Sequence, residues 1–293
     1  MQASSSFTDP AIFNQLISTS CKNLKFALVQ PEVVTIDESD AIVEAFRKLA
    51  ANNIASAPVV DSNGGYRGMI DMLDVLLYTL ELWGDEDNRP VRFSQRYLNQ
   101  KRQFRNAVVG SYIHSPETSG KFVNVDENYS LYHALEILSN TDYPRLALTT
   151  SFNRVNGILT DSMLINWIHG NKAQLGDNIL NTTLGEMRSY HAISTILPNR
   201  RAISAFKLMK EKSIPAVGVV DTGGKLTDVI SVRDLVGISP NSLTFRWLFN
   251  TTSYYLDQVR DENVEKPYEV IALTTSNTFA ELLDVIVTNN VHQ

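Results

Sequence analysis

The sequence predicts an α/β (α+β) protein built from repeated β-α-β-β-α units. Three observations carry this. First, the short apolar strand candidates Ala57–Asp61, Leu146–Thr150 and Val217–Asp221 share one ruler. Ala45, Ala134 and Ala205 each lie sixteen residues before the strand end, and Asp74, Met163 and Asp234 each lie thirteen residues after it. A fixed internal register decides an architecture before any local feature does. Second, a helix-period segment precedes each of these strands and another follows the strand after it. Third, polar or glycine-rich turns stand between the paired strands, as in Ser62-Asn63-Gly64-Gly65 and Thr222-Gly223-Gly224-Lys225.

Each element follows in order. Residues 1–30 form an N-terminal helical extension, in which Asp9-Pro10 starts a helix over Ala11–Ile17. This helix is expected on the outside of the first unit. Unit one, residues 31–84, begins with the β-branched strand Val33–Ile36. A helix over Asp37–Asn53 follows, with Ile42, Phe46 and Leu49 on one face and Asp37 or Ser39 as cap. Ser56–Asp61 and Tyr66–Met72 are the strand pair, and Asp74–Trp83 is the second helix. Residues 85–120 are a long polar linker. Unit two, residues 121–171, repeats the order with Phe122–Val125, Ser130–Ser139, Arg145–Thr150, Val155–Leu159 and Met163–His169. Unit three, residues 187–239, gives Ile193–Leu197, Arg201–Lys212, Ala216–Asp221 and Leu226–Ser231, with Asp234–Gly237 opening its last helix. Residues 240–268 form a helical linker with the aromatic-rich run Phe245 to Arg260. Residues 269–293 are a partial fourth unit, with a strand over Val270–Leu273 and a helix over Phe279–Thr288 but no strand pair after them.

Composition narrows the function classes. The hydrophobic fraction of 43% supplies real cores, and the net charge of −6 argues against a nucleic-acid partner. Lys101, Arg102 and Arg105 read as a solvated linker cluster. The single cysteine, Cys21, excludes an intramolecular disulfide and a cysteine-based metal site. The histidines show no metal spacing, and no metal site is expected. The start lacks a signal-peptide pattern and no run of about 18 apolar residues occurs, so no membrane span is expected. The chain is read as cytoplasmic, with the nucleus as a second location. No phosphate-binding loop, nucleophile elbow or kinase motif set is present, so no catalytic residue is assigned and the chain is not read as an enzyme.

The stretches APVVDSNGGYRGMIDMLDVL (57–76) and VGVVDTGGKLTDVISVRDLVGI (217–238) resemble the CBS domain, a β-α-β-β-α module that pairs into a Bateman module. Three complete copies, a truncated fourth and the long insert after the first are similar to the gamma subunit of AMP-activated protein kinase and the SNF4 family. That resemblance implies AMP, ADP or ATP as ligand rather than cofactor, bound in a cleft between units. It implies the catalytic alpha and scaffold beta subunits of a kinase as protein partners.

The resemblance also implies residue roles. An acidic residue opening the last helix takes the ribose, because a carboxylate accepts two vicinal hydroxyls at once. Asp234 matches, within Ser231-Val232-Arg233-Asp234, and so does Asp74, where Asp71 replaces the hydroxyl residue. Met163 cannot fill that role. Ile214, Pro215 and Ala216 match the base-gripping segment, as do Ala55, Ser56 and Ala57 in unit one. Ser189 supplies a hydroxyl near the nucleotide, and Ala205 keeps the helix close to it. Arg145, His292, Lys212 and Arg233 are the cations for phosphate. Against these stand plainer readings: an aspartate at a helix start is an ordinary cap worth about 1 kcal/mol, and Arg145 can be a surface arginine. The functional alternative is a degenerate scaffold or interaction module without nucleotide binding, or a truncated gene product.

Overall fold

The computed structural model describes residues 10–27, 33–83, 107–113, 123–139, 145–188, 193–236, 238, 243–260 and 270–289. Three small sheets share one topology. In the first, β1 (Ile36–Asp37) runs parallel to β2 (Ser56–Val60), which runs antiparallel to β3 (Tyr66–Asp71). β4 (Asn124–Asp126), β5 (Arg145–Thr149) and β6 (Val155–Thr160) repeat this, and so do β7 (Thr195–Ile196), β8 (Ala216–Val220) and β9 (Leu226–Ser231). Each sheet carries a ladder irregularity at the same step, Val59/Val60, Leu148/Thr149 and Val219/Val220. Each repeat is thus one three-stranded sheet whose first helix makes the crossover between parallel neighbours.

The turns between the paired strands show why the sequence repeats there. The Oδ1 of Asp61 accepts the N–H of Asn63 and of Gly65, each at 2.9 Å, and Asp221 Oδ1 does the same for Gly223 and Lys225. One residue per turn takes the left-handed conformation: Gly64 (φ 76°), Asn153 (φ 57°) and Gly224 (φ 81°). Gly224→Ala is expected to cost about 1–2 kcal/mol in chemical denaturation, and Gly224→Asn less, since asparagine tolerates that conformation.

A second repeated device appears only in the backbone hydrogen bonds. Residues 107–110 and 38–42 are clipped together: Val109 N–H donates to Asp40 O (2.9 Å), Ile42 N–H to Ala107 O (2.9 Å) and Gly110 N–H to Glu38 O (2.8 Å). The same three bonds join Cys21 to Tyr129, Leu131 to Thr19 and Lys22 to Glu127. They recur between Thr252 and Arg200, Ala202 and Asn250, and Ser253 and Pro198. They occur a fourth time between Leu184 and Asn277, Phe279 and Thr182, and Gly185 and Thr275. Isolated bridges Ala41↔Val108, Ser20↔Ser130, Arg201↔Thr251 and Thr183↔Thr278 mark the four centres. Each clip satisfies N–H groups at a helix start that have no partner within the helix. The fourth clip gives the start of the helix Phe279–Thr288 the same hydrogen-bond pattern as the first helices of the three sheets.

The clips exchange linkers. The segment leading into the first repeat docks on the second, and the segment leading into the second docks on the first. The third and fourth repeats do likewise. Two compact units result. One holds residues 34–122 and 193–270, the other residues 1–33, 123–192 and 271–293.

In the unit of the first and third repeats, the helices Ile42–Ala51 and Ala202–Glu211 bury one stripe each. Ile42, Ala45, Phe46 and Leu49 match Ala202, Ala205, Phe206 and Met209 at helical spacing. They form one core with Ile70, Leu76, Leu248 and Tyr255. In the other unit, Leu131, Ala134 and Leu138 pack with Leu146, Leu159 and Leu164. Leu283 of the helix Phe279–Thr288 joins that core. Asp284 beside it accepts from His169 Nε2 at 2.8 Å and from Lys172 Nζ at 2.5 Å.

Several expectations are corrected. The helix Pro10–Ser18 packs on the second repeat, not the first. Ile12, Leu16, Cys21 and Leu24 enter the core of Leu131, and the Phe13 and Tyr132 rings meet edge-on at 5.0 Å. Burial also pushes the Cys21 thiol up to about 11, so this cysteine is a packing residue. The first-repeat helix begins at Ile42 with Ala41 as its cap position and no side-chain bond. Asp37 instead accepts from the Ser39 N–H (2.8 Å), tying the turn before the helix. The third repeat ends in a 3-10 turn, Val232–Leu235, where a helix over Asp234–Gly237 is expected; Gly237 lies outside the described residues. Residues 270–274 form no strand. The reason is the ladder: β1, β4 and β7 each bond to the central strand of a hairpin, and no hairpin follows residue 274 among the described residues. The run Phe245 to Arg260 divides into a 3-10 segment, Leu243–Phe249, and a helix, Thr252–Val259.

Candidate functional site

The candidate site lies where the antiparallel strand of each repeat turns into the next helix. The ladder sets residues side by side there: Ser56 faces Asp71, Arg145 faces Thr160, and Ala216 faces Ser231. The Met72 N–H bonds Ala55 O (2.9 Å) and the Val232 N–H bonds Pro215 O (3.0 Å), which fixes the start of the following turn against the central strand. Each corner is then capped. Asp71 Oδ1 accepts the Asp74 N–H at 2.7 Å, and Thr160 Oγ1 accepts the Met163 N–H at 3.2 Å. In the third repeat Asp234 Oδ2 accepts the Ser231 N–H at 2.7 Å and its hydroxyl at 3.2 Å. The hydroxyl-x-x-acid pattern is therefore a capping device as well as a candidate ligand site.

The third-repeat corner has the richest electrostatics. Asp234 is 14% exposed at its side chain, and Oδ1 lies 3.7 Å from Arg260 Nε. Arg260 also donates from Nη1 to both carboxylate oxygens of Asp228, at 2.6 and 2.8 Å, and from Nη2 to Val229 O. The Tyr255 hydroxyl donates to Asp234 O at 2.8 Å. Burial raises the Asp234 carboxyl above its ordinary range; Arg260 and the two Ser231 donors oppose that shift, and the charge on Asp228 adds to it. Ser231, Ile214 and Ala216 are half-buried around this corner, while Pro215 and Arg233 are exposed. Ala205 is fully buried in the core behind it.

The first-repeat corner is occupied from within its compact unit. Lys210, on the third-repeat helix, donates to Asp74 Oδ1 at 2.6 Å, and Asp74 is 8% exposed at its side chain. Asp71 is half-buried beside it. Burial first, and the Asp74 charge second, raise its carboxyl to about 7. In the second repeat, Arg145 acts on Asp161, whose carboxyl is raised by burial and lowered by that arginine.

The structure brings Asp234, Ser231, Ile214, Pro215 and Ala216 together at one corner. It sets the cations apart. Lys212 is exposed at the end of the helix Ala202–Glu211, and Arg145 opens β5 in the other compact unit, at the ladder position that Ala216 holds in the third repeat. Ser189 and His292 lie outside the described residues. Arg260, Asp228, Tyr255 and Lys210 escape a reading of the sequence alone. Arg260 and Tyr255 sit in the linker, outside the repeat register, and Lys210 reaches a repeat far from its own in sequence. Among the described residues no cluster suited to a metal ion occurs, and no helix is long and apolar enough to cross a membrane.

The sequence matches the family described as the CBS domain over residues 25–81, 113–170 and 187–241. It is 24% identical over 296 residues to Protein SDS23 of Meyerozyma guilliermondii, covering 91% of this chain and 55% of that one. It is 22% identical over 274 residues to the 5'-AMP-activated protein kinase subunit gamma of Dictyostelium discoideum, covering 90% of this chain and 46% of that protein. The chain thus spans about half the length of the curated relatives it matches. A crystal structure from Methanocaldococcus jannaschii, described as an archaeal homolog of g-AMPK, superposes with a TM-score of 0.65 at 16% identity. It covers 89% of this chain and 88% of its own. At that identity the likeness is one of fold.

Proposed function

Because the chain belongs to the CBS-domain family, we propose that its third repeat binds an adenine nucleotide and that the protein regulates a partner rather than catalysing a reaction. The observation that carries this is Asp234. Its Oδ2 is spent on the corner it caps, while Oδ1 meets a cation at 3.7 Å, beyond ordinary hydrogen-bond length, and so keeps acceptor capacity for ribose hydroxyls. Ile214 to Ala216 line the same corner for a base. The likeness to a 5'-AMP-activated protein kinase gamma subunit supports AMP, ADP or ATP as ligand and kinase alpha and beta subunits as partners. Lys212, exposed two residues before Ile214, and Arg233, exposed one residue before Asp234, are the phosphate cations of this reading. Arg145 belongs to the second repeat, where Met163 stands at the ribose register, so it serves no ribose-anchored site of its own.

Saturating AMP is expected to raise the melting temperature by about 3 °C or more. Asp234→Ala should abolish the rise. Asp234→Asn keeps a capping oxygen and separates loss of ligand from loss of fold. No shift in the wild-type protein at millimolar AMP, ADP or ATP overturns the reading.

A second reading is a scaffold that binds its partner without nucleotide. The Lys210–Asp74 pair favours it, since the first-repeat carboxylate is already matched by a cation. A pull-down with kinase alpha and beta subunits that is equally strong with and without AMP would support this reading over the first.

A further inference from the structure

We propose that Arg260, at the end of the linker helix, is a positioning residue that sets Asp234 for its ligand and ties occupancy of that corner to the linker. This rests on the nucleotide reading above. The helix Thr252–Val259 is held at its start by the third-repeat clip, through Thr252 and Ser253. In its middle Tyr255 is fully buried, stacks edge-on against Phe206 at 5.6 Å and donates to Asp234 O. At its end Arg260 is moored on Asp228 by two bonds and on Val229 O by a third, which leaves Nε directed toward Asp234 Oδ1. One helix therefore bonds the main chain of Asp234 and sets a cation 3.7 Å from its carboxylate.

A rigid planar fork suits this role better than an ammonium. Its Nη1 edge is committed to Asp228, so the guanidinium cannot swing away to follow Asp234. A ribose diol accepted by Oδ1 would share that oxygen with Nε, and any shift of the carboxylate toward the ligand would be felt along the linker. By linkage, a change in the linker must alter affinity at the corner to the same degree that ligand alters the linker.

The charged and titratable groups acting on Asp234 are Arg260 and Asp228, with the Tyr255 hydroxyl on its carbonyl. Arg260 is the one positive charge among them. Without it, burial and Asp228 both push Asp234 toward its neutral form, and a neutral carboxyl is a poorer acceptor for two hydroxyls.

The test compares wild type, Arg260→Gln and Arg260→Lys in the full chain. Carbon-detected NMR of the aspartate carboxyls gives the Asp234 titration, and calorimetry gives AMP affinity from pH 5.5 to 8.5. Arg260→Gln is expected to move the Asp234 midpoint up by about one pH unit or more. It should weaken AMP most at the low end of the range, by at most about tenfold for each unit of that shift, with recovery as the pH rises. Arg260→Lys should fall between. If Asp234 titrates at the same pH in Arg260→Gln as in wild type, the proposal is overturned, whether or not AMP binds. If wild type shows no AMP binding while the titration moves as expected, the nucleotide reading fails and the positioning of Asp234 by Arg260 stands. Melting curves of each variant, taken without ligand, identify any that are unfolded, and Arg260→Met then serves as the second variant lacking the charge, with the same upward shift of Asp234 expected.

Discussion

Phe206→Ala is expected to destabilise its compact unit by about 3–5 kcal/mol, the largest effect of any single truncation considered. The ring is fully buried and joins the core shared by the first and third repeats. It also stacks edge-on with Tyr255, an arrangement worth about 0.5–1.5 kcal/mol beyond area. Because Tyr255 holds the main chain of Asp234, the same change should weaken AMP binding under conditions where the variant remains folded. Denaturant unfolding followed by tryptophan fluorescence measures the first effect. Leu135, in the same register of the second repeat and only half-buried, is the control and should cost less when cut to alanine. A Phe206→Ala variant within about 1 kcal/mol of wild type would contradict the shared core.

Asp71→Asn is expected to do the opposite, stabilising the protein at alkaline pH. In the unfolded chain Asp71 titrates near the ordinary aspartate value of about 3.9. In the folded protein burial and the neighbouring Asp74 raise it to about 7. Between those values the native state holds a proton that the unfolded state has released. Native stability is therefore greatest below the unfolded value and falls as the pH rises through the window, by at most about 1.4 kcal/mol per pH unit. Asparagine does not titrate, and its side-chain oxygen still accepts the Asp74 N–H. The variant should melt close to wild type at pH 4.5 and above it at pH 8. Identical melting temperatures at both pH values would show that Asp71 is not held protonated.

The parts legible in the sequence are those the repeat register controls. The three strand pairs, the glycine turns and the buried stripes of Phe46 and Phe206 follow from spacing alone, because strand and helix periods dictate which side chains share a face. Asp234 follows from the same register. What spacing does not carry is tertiary choice. The helix Pro10–Ser18 has an apolar face but no local mark of which repeat receives it, and it chose the second. Asp37 looks like a helix cap, yet the clip from residues 107–110 supplies the partners at that helix start and leaves Asp37 to the preceding turn. Val270–Leu273 has strand composition without a neighbour to pair with among the described residues, and composition alone does not make a ladder. Arg260 is three-dimensional in the same sense: nothing around it in sequence announces Asp228 and Asp234.

The crossed clips bear on how such a chain can be dissected. A fragment cut to contain one repeat and the stretch leading into it would carry a helix start meant for its neighbour and lack the one it needs. The smallest piece with every helix start satisfied holds two consecutive repeats and both of their leading segments. A cut between the first and second repeats would therefore part each helix start from the segment that caps it.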